Sequence, residues 1–182
     1  MDDCPRDGKP AVRGETVMTN EGFDTRPSMN VLRSEWLFSL HLEIGFDRLQ
    51  KVGDAPIGWR GIYPVDGGRF EGPKLKGKVL PNGADWVVRR KDGATMLDVR
   101  LGLTTDDGAV IAMSYTGLFW IAESASERYW KGEPIAYGES YVRTTPRFET
   151  ADPRYDWLNR IVAVANGGPR GSSPTYEVFA IL

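Results

Sequence analysis

From residue 37 onward, apolar and polar positions alternate with a period of two, the repeat of an extended chain with one buried face. In LFSLHLEIG, Phe38, Leu40, Leu42 and Ile44 share one face, while Ser39, His41 and Glu43 share the other. Segments 85–90, 96–104 and 109–117 are the clearest strands, flanked by 37–46, 60–65, 70–80, 140–145, 160–165 and 176–181. Between them fall the pairs Asp66-Gly67, Asn82-Gly83, Asp92-Gly93 and Asp107-Gly108. Both residues of such pairs tolerate positive φ, which favours the tight turns that join antiparallel strands. About nine strands at regular spacing predict an all-β chain, an antiparallel barrel or sandwich.

Helical signal is thin. Asp152-Pro153 before RYDWLN offers an N-cap with proline in the first helical position, and 124–130 has room for a second short helix. Residues 1–30 are polar, aperiodic and contain Pro and Gly, which predicts a flexible arm or a strap. The expected division is an arm over 1–35 and one β domain over 36–182, since 182 residues suit a single core.

Turn length decides which side chains share a face. A two-residue turn at Asp107-Gly108 places Leu103 opposite Ala112 and Arg100 opposite Tyr115. The same rule at Asp92-Gly93 places Val87 opposite Asp98 and Asp85 opposite Arg100. One face then carries Asp85, Val87, Asp98, Arg100, Met113 and Tyr115. The other carries Trp86, Val88, Leu97, Val99, Leu101 and Ala112, and reads as core. A three-residue turn at Asp92 shifts the register and brings Trp86 to the first face in place of Asp85. That mixed face is either a solvated wall with a cross-strand ion pair or a ligand pocket with a few convergent polar groups. Spacing alone favours the solvated wall, because charged residues mostly stay wet.

Two further groups have a functional and a plain reading. His41 with Glu43 two positions along suggests acid–base work. The alternation fits an ordinary polar outer face equally well. Lys74, Lys76 and Lys78 project from one face as an anion-binding stripe or, more simply, as the lysines that protect an exposed edge.

Composition narrows the chemistry. With 23 Lys+Arg against 25 Asp+Glu, the net charge of −2 gives no basic footprint for nucleic acid. No apolar run exceeds five residues, so no membrane span is expected, and MDDCPRDGKPAVRGE lacks the basic and apolar regions of a signal peptide. The expected location is cytoplasmic. One Cys and one His exclude an intramolecular disulfide and a Cys/His zinc site. No phosphate loop, nucleophile elbow, dinucleotide fingerprint or calcium loop occurs, so neither metal nor cofactor is expected. Gly167-Gly168-Pro169-Arg170-Gly171 reads as a hairpin connection, since no helix follows it.

Three blocks in order carry a resemblance: IYPVDGGRFEGPKLKGKVLPNGADW (62–86), LDVRLGLTTDDGAVI (97–111) and YVRTTPRFETADPRYDWLNR (141–160). Together they resemble domain-of-unknown-function family 3237, small uncharacterised β-barrel proteins, from about residue 37 to the C-terminus. The resemblance implies a closed, calycin-like antiparallel barrel of about 8–10 strands with one short helix and a lumen. Candidates for the lining are then Tyr63, Asp85 and Trp86 from the first block, Asp98 and Arg100 from the second, and Arg143, Thr145 and Phe148 from the third. Tyr115 is added by strand pairing. His41 lies outside the blocks.

Two functions fit. The first is a cofactor-independent isomerase, cyclase or hydro-lyase acting on a small, largely apolar oxygenated metabolite. Asp98 would be its base, Tyr115 or Tyr63 its proton donor, and Arg100 or Arg143 its oxyanion clamp. Trp86 and Phe148 would be aromatic walls, with Asp85, Thr145 and His41 further binding candidates. The second is a non-catalytic barrel that carries a small molecule, favoured by a lumen of Leu, Val and aromatics, Asp98 paired to Arg100 and no free acid. A third, in which the shared residues serve folding or a homo-oligomer strapped by residues 1–30, also remains. In either of the first two, the partner is a small molecule, with nucleic acid and membrane not expected.

Overall fold

A computed structural model describes residues 32–182 other than 132, 134, 137, 171 and 172. The expected arm up to residue 31, with Cys4, lies outside the described residues. The strands are β1 (Ser34–Ile44), β2 (Gln50–Ala55), β3 (Gly58–Glu71), β4 (Lys76–Val79), β5 (Gly83–Arg89), β6 (Thr95–Thr105), β7 (Val110–Ile121), β8 (Ser140–Glu149), β9 (Val162–Arg170) and β10 (Ser173–Ile181). Helix α1 (Glu123–Trp130) joins β7 to β8, and 3-10 turns occupy Phe46–Arg48 and Asp156–Arg160. Among the described residues no helix is long and apolar enough to cross a membrane.

Every pairing is antiparallel. The order β1-β10-β9-β8-β7-β6 continues through β4 and β5 to β3, and β3 pairs back onto β1. This closes a barrel of eight places, in which β4 and β5 lie end to end between β3 and β6 and β2 is an extra strand on β3. Closure gives the backbone donors and acceptors of the wall partners all the way round.

The floor of the barrel is solid. Phe38, Phe70, Leu103, Ile111 and Leu158 are at most 1% exposed. Phe38 packs on Phe70 at 5.6 Å and edge-on to Phe148 at 6.0 Å. The segment after β8 braces this end. Arg154 forks onto Asp152 at 2.9 and 2.7 Å and pairs with Asp107 at 3.0 Å, where the Tyr155 hydroxyl also donates. The helical turn expected at Asp152 therefore starts later, because the Asp152 carboxylate accepts from the Arg154 N–H at 3.0 Å in a side-chain turn.

Two expectations are corrected here. The lysine-bearing strand is not an edge: β4 pairs with β3 on one side and β6 on the other. Lys76 and Lys78 still face out, yet Lys74 pairs with Glu35 at 2.7 Å and Lys76 reaches Asp106 at 3.6 Å. The second correction concerns turn length. Thr105 N donates to the Ala109 carbonyl at 2.9 Å, and Gly108 N to Thr105 at 2.9 Å, with Gly108 at φ +90°. Arg90, Gly93 (φ +84°) and Ala94 repeat this pattern, so both loops hold three residues and not two. A type I turn followed by a left-handed glycine has this form, and each extra residue shifts the register by one.

The β1–β3 seam depends on a second kind of glycine. Gly68 has φ +141°, and a Cβ there would stand 2.1 Å from the His41 carbonyl oxygen, whereas Gly108 has nothing within 4 Å. Gly68→Ala is expected to cost about 3 kcal/mol or more, through backbone strain and a clash that no rotamer relieves. Gly108→Ala should cost about 1–2 kcal/mol, the left-handed penalty alone. Urea midpoints of the two variants measure the difference, and equal losses would count against this account of the seam.

Candidate active site

The register places four inward side chains on one level of the wall. Tyr63 pairs with Asp85, Asp85 with Val99 and Val99 with Tyr115, across β3, β5, β6 and β7. All four line a lumen of about 690 Å³ above the packed floor. Tyr176 enters from β10, its ring centroid 5.5 Å from that of Tyr115. Four residues along each strand, toward the mouth, lies a second level: Trp59 pairs with Arg89, Arg89 with Thr95 and Thr95 with Phe119. Arg89, Thr95 and Phe119 line the same lumen, and Val87 and Leu97 line it between the two levels. Helix α1 adds Ser126, Tyr129 and Trp130 at the mouth, where Phe119 packs against Tyr129 at 5.4 Å.

Asp85 is the one carboxylate among the described lining residues. Burial pushes its pKa up to about 7. The backbone N–H of Asp98 opposes this by donating to Oδ1 at 3.2 Å, and the Asp98 carboxylate adds to the rise. Burial likewise raises Tyr115 well above the usual phenol range, with Tyr176 and Asp85 adding to it, and raises Tyr176. The Tyr115 and Tyr176 rings stand 5.5 Å apart, and both phenols line the lumen. Near neutral pH the phenols are fixed hydrogen-bond donors and Asp85 changes its charge.

The longer turns separate the candidates of the mixed face. Asp85, Val87, Met113 and Tyr115 stay together, because the two one-residue shifts cancel between β5 and β7. Asp98 and Arg100 on β6 are the exception and face outward, with side chains 49% and 67% exposed and 3.9 Å apart. Leu97, Val99 and Leu101, expected as core on the opposite face, are buried on the same face as Asp85 and Tyr115. Trp86 is also on the outer wall, under the Arg100 guanidinium at 5.6 Å.

The third block divides by the same parity. Arg143 and Thr145 face outward, Arg143 over the Tyr141 ring at 4.8 Å and Thr145 Oγ1 3.5 Å from that of Thr116. Phe148 points inward but belongs to the floor. His41 is on the outer wall, where its Nδ1 lies 3.2 Å from Thr175 Oγ1. Tyr63 and Tyr115 reach the lumen. Sequence reasoning missed Tyr176 and Arg89. Arg89 was legible as the same-face neighbour four residues beyond Asp85, whereas the facing of Tyr176 depends on the register it takes opposite both Gly167 and Leu40.

A family model for proteins of unknown function, DUF3237, matches residues 32–181. The chain belongs to this family. A UPF0311 protein of Rhodopseudomonas palustris is 30% identical to this DUF3237 chain over 151 residues, covering 83% of it and 97% of the relative. The crystal structure of a β-barrel-like protein from Acinetobacter baumannii, 31% identical, superposes with a TM-score of 0.73 over 84% of this chain and 97% of that one. A hydroalkoxylation enzyme from Penicillium herquei is more distant, 28% identical over 129 residues, with 71% of this chain and 70% of that protein covered. DUF3237 thus has a distant relative that is an enzyme.

Proposed function

We propose that this barrel is a cofactor-independent acid–base enzyme that adds a hydroxyl group across a polarised C=C bond of a small, largely apolar oxygenated substrate. The observation that carries the reading is Asp85, the one carboxylate among the described lumen residues, set beside the phenols Tyr115 and Tyr176. The Penicillium relative supports the reaction class, since hydroalkoxylation is such an addition.

The steps balance without a cofactor. Asp85 takes the hydroxyl proton as the oxygen forms its bond to the β-carbon of an enone, and the π electrons move onto the carbonyl oxygen. Tyr176 donates a hydrogen bond to the enolate oxygen that develops. Asp85 then returns the proton to the α-carbon, so the product is an isomer of the substrate. Val87, Leu97 and Val99 exclude water, which strengthens each polar contact.

The pH dependence has a fixed sign. Asp85 must be ionised to start the reaction, so kcat/KM should rise with pH and level off above about 7. Hydroxy-enones such as 2′-hydroxychalcone, whose ring closure bleaches the enone absorbance, provide the assay. Tyr176→Phe should lower kcat about 100-fold with the inflection retained, as for loss of one oxyanion donor. A rate that falls with rising pH would remove Asp85 as the base.

A binding barrel is the second reading, favoured by the apolar majority of the lining and the 3.9 Å approach of Asp98 to Arg100 on the outer wall. Asp85 weighs against it, because a purely apolar cargo gives no return for a buried acid.

A further inference from the structure

The two levels of the lumen differ in charge, and their spacing sets a length. Asp85 and Arg89 are four residues apart on β5 and both face the lumen, which separates their Cα atoms by about 13 Å at about 3.3 Å per residue. Arg89 is exposed at the mouth, and its guanidinium lies 5.2 Å over the Trp59 ring, which holds the long side chain in place. Among the described lining residues it is the one Lys or Arg, and no carboxylate there is within ion-pair distance of it. Asp85 and Arg89 form no ion pair with each other, so each can meet a different part of a ligand. Between them the wall presents Val87 and Leu97, with Phe119 and Tyr129 above.

We propose that the substrate is an elongated, largely apolar monocarboxylate, gripped at the mouth by Arg89 and presenting its reacting end to the Tyr63–Asp85–Val99–Tyr115 level. This rests on Asp85 as the reacting acid–base group. A guanidinium matches a carboxylate through two parallel hydrogen bonds, and the aromatic stack beneath leaves its N–H edge open. The ionised Asp85 repels a second carboxylate, so a molecule with one anionic end enters in one direction only. The apolar stretch between the levels rejects short polar acids, whose hydration would be lost with nothing to replace it.

Isothermal titration calorimetry of the full chain at pH 8 tests this with unreactive probes, octanoate and decanoate against 1-octanol and 1-decanol. The acid should bind about tenfold tighter than the alcohol of equal length, the low end expected for one partly exposed charged contact. Arg89→Gln should reduce the acid to the affinity of the alcohol and leave the alcohol unchanged, while Asp85→Asn keeps the preference for the acid. Equal binding of acid and alcohol by the unmodified protein, binding of neither, or a preference that survives Arg89→Gln would overturn the proposal. The two claims fail separately. Full turnover of hydroxy-enones by Asp85→Asn removes the acid–base reading with the acid preference still measurable, and a missing acid preference beside an inactive Asp85→Asn removes the grip of Arg89 alone.

Discussion

Asp85→Asn is expected to stop turnover and, at pH 8, to make the protein more stable. The gain follows from where the proton sits. The carboxyl titrates near its ordinary 3.8 in the unfolded chain and is pushed up to about 7 in the barrel. Below pH 3.8 both states hold the proton, so the group is neutral to stability. As pH rises toward 7, the unfolded chain releases the proton while the barrel keeps it, so stability falls by up to about 1.4 kcal/mol per pH unit. Above 7 the full deficit is in place, at most about 4 kcal/mol. Asparagine has nearly the same shape, carries no charge and still offers an oxygen to the Asp98 N–H. Urea unfolding at pH 8 and pH 5 should show the variant ahead at both, with the gap narrowing at pH 5. Loss of the proton shuttle should cost a factor of about 100 to 10,000 in rate. Equal stability of the two proteins at pH 8 would mean that the carboxyl is not desolvated.

Phe38→Ala should be the most damaging single truncation in the floor. Phe38 is fully buried and meets both Phe70 and Phe148 at ring-contact distances. These rings come from three separate strands, so no one of them can move to fill the void without dragging a wall of the barrel. The expected loss is about 3–5 kcal/mol, measured as a drop in urea midpoint with an unchanged m-value. A loss below about 1 kcal/mol would show that the floor relaxes around the gap, contrary to a close-packed plug. Because Phe38 and Asp85 lie on different strands and share no partner, their effects should add in the double variant.

What could be read beforehand followed the range of each interaction. Strand positions rest on local alternation, and the strands expected at 96–104 and 109–117 correspond to β6 and β7. Facing depends on turn length, and a glycine after Asp92 or Asp107 is compatible with a two-residue or a three-residue loop. Asp85 and Tyr115 kept their common face because two shifts of one cancelled. Asp98 and Arg100, lying between the turns, had only one. The single strand expected over 70–80 is divided between the end of β3 and β4, since the wall needs a turn near residue 73 to bring Lys78 opposite Arg69. Tyr176 was illegible for a different reason. Its place opposite Leu40 joins positions far apart in the chain, and nothing local in TYEVFAI encodes that partner. Arg143 and Thr145 were drawn from the shared third block, much of which serves to brace the floor through Arg154, Asp107 and Tyr155.

The division of the barrel into a packed floor and an open mouth has a consequence for change over time. The Phe38–Phe70–Phe148 cluster and the Arg154 brace sit at one end, while α1, Arg89 and Trp130 sit at the other. Substitutions at the mouth can accumulate without spending the fold's reserve, and grafted mouths can be exchanged between barrels of this kind as cassettes. New substrate ranges would then arise by editing the rim while the proton chemistry beneath it is inherited intact.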